Sequence, residues 1–225
     1  MDEHYQVLVA PDPELLLDLF SEELFNKIVS TKLCLVVDDD GTISDSHPMY
    51  ISWLARKLKR PINPKDNFRY DFLDIDPQAL GMLKASVFRN ARMHRNLPVI
   101  EGASEALQEI ADAEVAVIIL TARPMMRSMV KATRAHKEKK GIPFDLLIFS
   151  RRKKEIVQVL KRLGCHVVVV DDDPRVVAEV CDLANVTAVI FEAPYNRRLK
   201  RRQARRVKAW VEVLEIVREL IHGRG

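Results

Sequence analysis

Short apolar runs, each stopped by polar residues, recur along this chain at 33–38, 115–120, 144–149, 166–171 and 186–191. Runs of this length, rich in Val and Ile and apolar at consecutive positions, read as parallel strands covered on both faces. Helical patterns separate them, at 103–112, from Pro124 onward, at 152–163 and at 174–184. A last one, about 198–221, carries Val207, Trp210, Val211, Leu214, Val217 and Ile221 at spacings of three and four. Five strands alternating with helices predict an α/β fold, a parallel sheet between two helical layers. Ahead of the first strand, 12–28 reads as a helix. Asp12 suits the N-cap and Pro13 the first turn, and Leu15, Leu16, Leu19, Phe20, Leu24 and Ile28 form a stripe.

The stretch 43–100 breaks the alternation. It has no valine-rich run but has a helical pattern near 48–59 (Met49, Ile51, Leu54, Leu58) and another near 77–93, with Pro61, Pro64 and Asn67 between. It therefore reads as a small helical unit inserted into a core made of 1–42 and 101–225. A length of 225 residues suits one α/β domain with such an insertion.

Composition narrows the class. Hydrophobic residues make up 48%, which argues against disorder, and no apolar stretch approaches the ~20 residues of a membrane helix. The start, Met1-Asp2-Glu3-His4, lacks a signal-peptide pattern. Cys34, Cys165 and Cys181 are far apart and show no zinc spacing, so a cytoplasmic setting is expected. The net charge of +4 is a weak bias, but cations crowd two segments. One holds Arg197, Arg198, Lys200, Arg201, Arg202, Arg205, Arg206 and Lys208; the other holds Lys131, Arg134, Lys137, Lys139 and Lys140. Each segment is either a solvated helix face or a surface for phosphate-rich ligands and nucleic acid.

Two aspartate triplets carry the chemistry. Asp38-Asp39-Asp40 follows one strand run and Asp171-Asp172-Asp173 follows another. Like charges gathered at strand ends repel, and a bound cation compensates them. Ligands of open α/β sheets also sit outside the carboxyl ends of the strands. Side chains alternate along a strand, so Asp38 and Asp40 can share a side while Asp39 points elsewhere as a spacer. Gly41 lets the chain turn sharply after them. One carboxylate can then attack while the other delivers and removes protons.

At this point the sequence resembles the haloacid dehalogenase superfamily of phosphotransferases. The first motif of that family is matched by Val36-Val37-Asp38-Asp39-Asp40-Gly41-Thr42 and the second by Val117-Ile118-Ile119-Leu120-Thr121, followed by Ala122-Arg123-Pro124. Lys153 or Lys154 stands for the third, and Val167-Val168-Val169-Val170-Asp171-Asp172 for the fourth. The resemblance implies a Rossmann-like three-layer core with a five-stranded parallel sheet and a small helical cap. It assigns Asp38 as nucleophile forming an aspartyl-phosphate, and Asp40 as general acid and then base. Thr121 would bond a phosphoryl oxygen, and the lysine would neutralise charge. Mg²⁺ would be held by Asp38, the Asp40 main-chain oxygen, Asp171 and Asp172. Lys153 is preferred to Lys154 because Ile156, Val157 and Leu160 follow it at helical spacing. Asp172 aligns as the direct ligand, Asp171 as its support and Asp173 as a helix cap. Thr42 and Arg123 are candidate substrate contacts, Arg123 being alternatively a surface arginine at a helix start.

The helical insert, together with Phe191-Glu192-Ala193-Pro194-Tyr195-Asn196-Arg197, resembles the deoxyribonucleotidase-like branch. That implies a Mg²⁺-dependent phosphatase acting on a small phosphomonoester such as a 5′-nucleotide. Two alternatives remain. One is a polynucleotide 3′-phosphatase using the basic 197–208 segment; the other is a non-catalytic metal- or phosphate-binding regulatory module. Tyr50, Trp53, Phe68, Tyr70 and Phe72 are either cap core or base-stacking residues. His47 and His94 flank the cap without an assigned role, and the sequence gives no oligomeric state.

Overall fold

The computed structural model describes residues 6–9, 11–197 and 203–223. Its centre is a seven-stranded, all-parallel sheet. The strands are β1 (Gln6–Val9), β2 (Leu33–Val37), β3 (Ala116–Thr121), β4 (Leu146–Phe149), β5 (His166–Asp171), β6 (Val186–Phe191) and β7 (Ala204–Val207). They lie in the order β1-β4-β3-β2-β5-β6-β7. The five strands read from the sequence form the unbroken centre, and one further strand extends each edge. Both extra strands are four residues long, and β7 carries Arg205 and Arg206. Both edges are short and β7 is charged, which resists further pairing and also hides them from a search for long apolar runs.

The central strands carry consecutive apolar residues, with polar ones mainly at their ends, because both faces are covered. Leu33, Leu35 and Val37 pack with the side chains of α5 (Ala103–Asp112), α6 (Arg127–Lys139) and α9 (Trp210–His222). The alternate residues Cys34 and Val36 pack on the other face with α1 (Glu22–Thr31), α7 (Lys153–Lys161) and α8 (Pro174–Val180). Register fixes the site. Val37 lies opposite Ile119 on one side and Val170 on the other, so the residues after β2 emerge between those after β3 and β5.

Three helical readings need correction. The helix read at 12–28 is two 3₁₀ turns, Pro13–Leu15 and Leu17–Leu19, followed by α1. Asp12 does cap the first turn, accepting from the Glu14 N–H at 3.2 Å. Phe20 is extended, and the Ser21 hydroxyl caps α1 by accepting from the Leu24 N–H at 3.2 Å. The helix read from 198 starts at Trp210, where Glu212 accepts from the backbone N–H groups of Lys208 and Ala209 at 2.8 and 3.0 Å. Residues 198–202 of that reading lie outside the described residues. The helix read at 77–93 is split into α3 (Ala79–Ser86) and α4 (Ala91–His94), with Asn90 capping the second.

Between β2 and α5 the chain carries α2 (His47–Leu58), α3 and α4. Tyr50, Ile51, Leu54, Phe72, Ile75, Ala79, Leu83 and Val87 form an apolar cluster separate from the two that flank the sheet.

Candidate active site

The ends of β2 and β5 bring the two triplets together. The Asp38 N–H donates to the Val170 carbonyl at 2.9 Å, which extends the β2–β5 ladder one residue past the strand and sets Asp38 beside Asp171. Asp38, Asp171 and Asp172 are all buried and each offers an oxygen within 4.8 Å of the others. Lys153, the first residue of α7, completes the group. Its Nζ lies 2.7 Å from Asp38 Oδ1 and 2.8 Å from Asp171 Oδ2. Ile156, Val157 and Leu160 are buried on the same helix, so the register that seats them on the sheet also turns Lys153 inward. Lys154 is not among these contacts.

Three carboxylates face one ammonium here, which leaves negative charge in excess. Burial pushes the Asp38 carboxyl up to about 7; Lys153 opposes that rise and Asp171 adds to it. Burial also raises Asp171, against the pull of Lys153. Asp172 rises well above the carboxylate range through burial and the charges of Asp38 and Asp171. A hard divalent cation removes this conflict, since such ions take carboxylate and carbonyl oxygens. The oxygens differ in how free they are. Asp171 Oδ2 meets Lys153, and its Oδ1 accepts from the Asp173 N–H at 2.8 Å. Asp172 Oδ2 accepts from the Tyr195 hydroxyl, and its Oδ1 is buried without a hydrogen-bond partner. Asp172 thus keeps an oxygen for a metal. Asp173 caps α8, accepting from the Arg175 N–H at 2.9 Å.

Gly41 turns the chain back over this group with φ +79°, and the Thr42, Ile43 and Ser44 N–H groups all donate to the Asp39 carbonyl. A Cβ at Gly41 would stand 2.8 Å from Asp172 Cγ and 2.9 Å from the Tyr195 hydroxyl oxygen, so only glycine fits.

Asp39 is no spacer. It is fully buried, and it meets the Lys137 ammonium, Arg123 Nη1 at 2.7 Å and the Ser44 hydroxyl at 2.6 Å. Arg123 then reaches Asp40, Nε donating to Oδ2 and Nη2 to Oδ1, both at 2.7 Å. Here two carboxylates face two cations. Burial alone would raise Asp39, but Arg123 and Lys137 outweigh it and hold the carboxyl below its ordinary range; Arg123 does the same for Asp40. The geometry therefore turns Arg123 inward to carboxylates, away from the exposed helix start that was its alternative.

Thr121 ends β3, buried, and its Oγ1 accepts from the Arg123 N–H at 3.2 Å. Thr42 is buried behind the turn, where its carbonyl accepts from the Trp210 indole at 2.9 Å. Of the insert aromatics, Tyr50 and Phe72 are buried core, whereas Phe68 and Tyr70 are exposed. His47 bonds Asn67 Oδ1 at 2.9 Å and packs its ring 5.2 Å from that of Tyr195. His94 Nδ1 lies 3.8 Å from Asp40 Oδ1.

Several of these partners had no role in the sequence reading. Tyr195 and Asn196 lie in the resemblance-bearing 191–197 segment; Asn196 Nδ2 donates to the Asp172 carbonyl at 2.9 Å. Lys137 hid in the 131–140 basic run, yet it is fully buried, while the Arg134 beside it faces Glu138 in solvent. In the 197–208 segment Arg205 pairs with Glu219 at 2.6 Å, and Arg206 lies 3.7 Å from Glu192 and donates to Asn196. Arg198, Lys200, Arg201 and Arg202 lie outside the described residues. No helix among the described residues is long and apolar enough to cross a membrane.

No curated protein sequence matches the chain significantly. Among solved structures, a haloacid dehalogenase-superfamily hydrolase from Ehrlichia chaffeensis is similar with TM-score 0.54 at 12% identity, over 84% of this chain and 97% of that one. CbbY from Rhodobacter sphaeroides, solved with phosphate, is similar with TM-score 0.52 at 14% identity, over 80% of this chain and 95% of that one. At these identities the likeness establishes the fold. The family model described as "5′ nucleotidase, deoxy (Pyrimidine), cytosolic type C protein" matches residues 32–222, which include both triplets, Thr121, Lys153 and the Tyr195 loop. The chain belongs to that family and is a phosphatase of the haloacid dehalogenase superfamily.

Proposed function

We propose that the site hydrolyses a small phosphomonoester, a 5′-nucleotide, with Mg²⁺ and through an aspartyl-phosphate on Asp38. The observation that carries this is the Asp38–Lys153–Asp171–Asp172 group, where a buried carboxylate is held against an ammonium beside a spare Asp172 oxygen. Asp38 forms a bond to phosphorus as the bond from phosphorus to the ester oxygen breaks; Asp40, ionised in the free site, takes the proton of the substrate's phosphate monoanion on binding and gives it to that oxygen. Water then attacks the phosphorus, gives its proton to Asp40 and releases Asp38. Both Asp40 oxygens accept from Arg123, but each keeps a second lone pair for this exchange. Thr121 orients a phosphoryl oxygen, and Lys153 offsets charge on it. Asp38, Asp172 and the Asp40 main-chain oxygen would hold the metal, with Asp171 supporting it through Lys153. When bound, Mg²⁺ neutralises charge on the phosphoryl group. Residues 43–100 form the small cap over a core of 1–42 and 101–225, and the reaction belongs to the cytoplasm. Within the described part of the 197–208 segment, Arg205 and Arg206 face acids while Lys208 is exposed.

Phosphate release from a panel of nucleoside monophosphates and sugar phosphates, with Mg²⁺ and with EDTA, tests this reading. Turnover confined to nucleotides and lost with EDTA supports it. Release that is indifferent to EDTA sinks it.

Metal binding should also be linked to pH. In the metal-free protein the raised Asp38 carboxyl holds a proton until the pH approaches about 7, and a metal must displace that proton. A folded pKa above the unfolded value stabilises the metal-free fold below the unfolded pKa. That stability is lost as the pH rises through the folded value. Mg²⁺ opposes the loss, so the rise in Tm on adding Mg²⁺ should grow from pH 5 to pH 8. A shift that is flat over that range contradicts metal binding at these carboxylates.

Tyr195 gives a milder test. Phenylalanine keeps the ring against His47 and Tyr70 but deletes the hydroxyl on Asp172 Oδ2. Loss of such a supporting bond costs about 10–100-fold in metal affinity. Tyr195→Phe should raise the Mg²⁺ concentration for half-maximal turnover by that factor; an unchanged value would show that the hydroxyl does not tune Asp172.

A further inference from the structure

We propose that Arg123 is a positioning residue that fixes the plane of the Asp40 carboxylate, and that Asp39 and Lys137 fix Arg123 in turn. The inference rests on the reading of Asp40 as the group that moves protons. Every edge of the guanidinium is engaged. Nε and Nη2 take the two Asp40 oxygens at 2.7 Å, while Nη1 donates to Thr133 Oγ1 at 3.1 Å and lies 2.7 Å from Asp39 Oδ2. Arg123 is 4% exposed, so its side chain is turned away from solvent. Beneath it, Asp39 is gripped by the Lys137 ammonium and the Ser44 hydroxyl, and Lys137 also donates to Ser44 at 3.1 Å.

A lysine ammonium and two carboxylates are costly to bury, and an ordinary turn at a strand end does not call for them. What the network supplies is rigidity. The planar fork matches a carboxylate in two places at once, which a point charge such as lysine cannot do. Asp40 is the least buried of the four charged groups, with 23% of its side chain exposed, and it sits at the mouth of the turn. Without Arg123 it would rotate freely. The His94 ring beside it, with Nδ1 at 3.8 Å and its pKa pushed down by burial, is a single contact and does not set a plane.

Two esters separate positioning from direct contact with the substrate phosphate. A nucleoside 5′-monophosphate has a poor leaving group that needs a proton from Asp40. p-Nitrophenyl phosphate releases an anion that does not. In Arg123→Lys, kcat on the nucleotide should fall by about 10²-fold, the cost of a small misplacement, with KM little changed. The pre-steady-state burst of nitrophenolate should keep close to the wild-type rate, because formation of the Asp38–phosphorus bond does not draw on Asp40 there. Added guanidinium should restore part of the nucleotide turnover to Arg123→Gly and none to Arg123→Lys. Thr133→Val, which removes one bond to Arg123 and touches neither Asp39 nor Asp40, should show the same split more weakly and keeps the test open if the arginine variants melt early. Loss that appears in KM, equal loss for both esters in the burst, or absence of rescue in a folded Arg123→Gly overturns the positioning role. A wild-type chain that turns over neither ester overturns the phosphatase chemistry on which that role rests, and the role with it.

Discussion

Asp38→Asn should abolish turnover, lowering kcat on the best nucleotide by at least about 10⁴-fold, because a nucleophile's loss is not made up by the groups around it. The amide is nearly the same size, so the fold and the neighbouring strand pairing are kept. The Asp38 N–H still donates to Val170, and the side chain still faces Lys153. What goes is the oxygen able to bond phosphorus and one negative charge of the metal group. The variant should even be more stable than the wild type without metal, since three carboxylates crowded around one ammonium become two. Assays of kcat, with a thermal melt in EDTA, check both halves. A folded Asp38→Asn with turnover within tenfold of wild type would place the chemistry elsewhere.

Asp39→Ala should be the most destabilising single change near the site. It strips the common partner from Lys137 and from Arg123 Nη1, leaving a fully buried ammonium uncompensated. Breaking a buried ion pair from one side costs about 3–5 kcal/mol. The midpoint of denaturant unfolding should drop accordingly with the slope unchanged. Pairing the change with Lys137→Met should recover part of the loss, because the orphaned charge is then gone as well. Equal stability of Asp39→Ala and the wild type would mean that the network is not formed in solution. Acid acts on the same carboxylate. Its folded pKa lies below the unfolded value, so its contribution is present above about pH 4 and is lost as the pH falls further.

The sheet centre was legible because five buried strands carry runs of consecutive apolar residues, and 166–171 and 186–191 match β5 and β6 end to end. The edges were not. Gln6–Val9 and Ala204–Val207 carry no long apolar run, since an edge strand is half covered and tolerates arginine. Leu16, Leu24 and Ile28 do share a buried layer, as the stripe at 12–28 suggested, but Leu15 and Leu19 face solvent on the 3₁₀ turns. Periodicity alone cannot see the break that an extended Phe20 and a Ser21 cap impose.

The site divided in the same way. Strand-end position marked Asp38, Asp171 and Asp172, the family resemblance pointed to Thr121 and to a lysine at 153 or 154, and helical register preferred Lys153. Asp39 was misread because strand alternation was carried past the last paired residue into a turn, where it no longer sets direction. Lys137 had a signal that charge counting masked. It stands four residues beyond Thr133 and eight beyond Met129, on the buried stripe of α6. A cation on an apolar stripe asks for a buried acid, and only the fold shows that the acid is Asp39.

The central claim is that Asp38 carries the phosphoryl group. Borohydride added during steady turnover reduces an acyl phosphate and leaves an alcohol in place of the carboxyl. Peptide mapping after that quench, with Mg²⁺ and nucleotide present, should find homoserine at position 38, dependent on substrate and absent from Asp38→Asn. Rapid turnover with an unmodified Asp38, or with the reduced residue at another carboxylate, would contradict it.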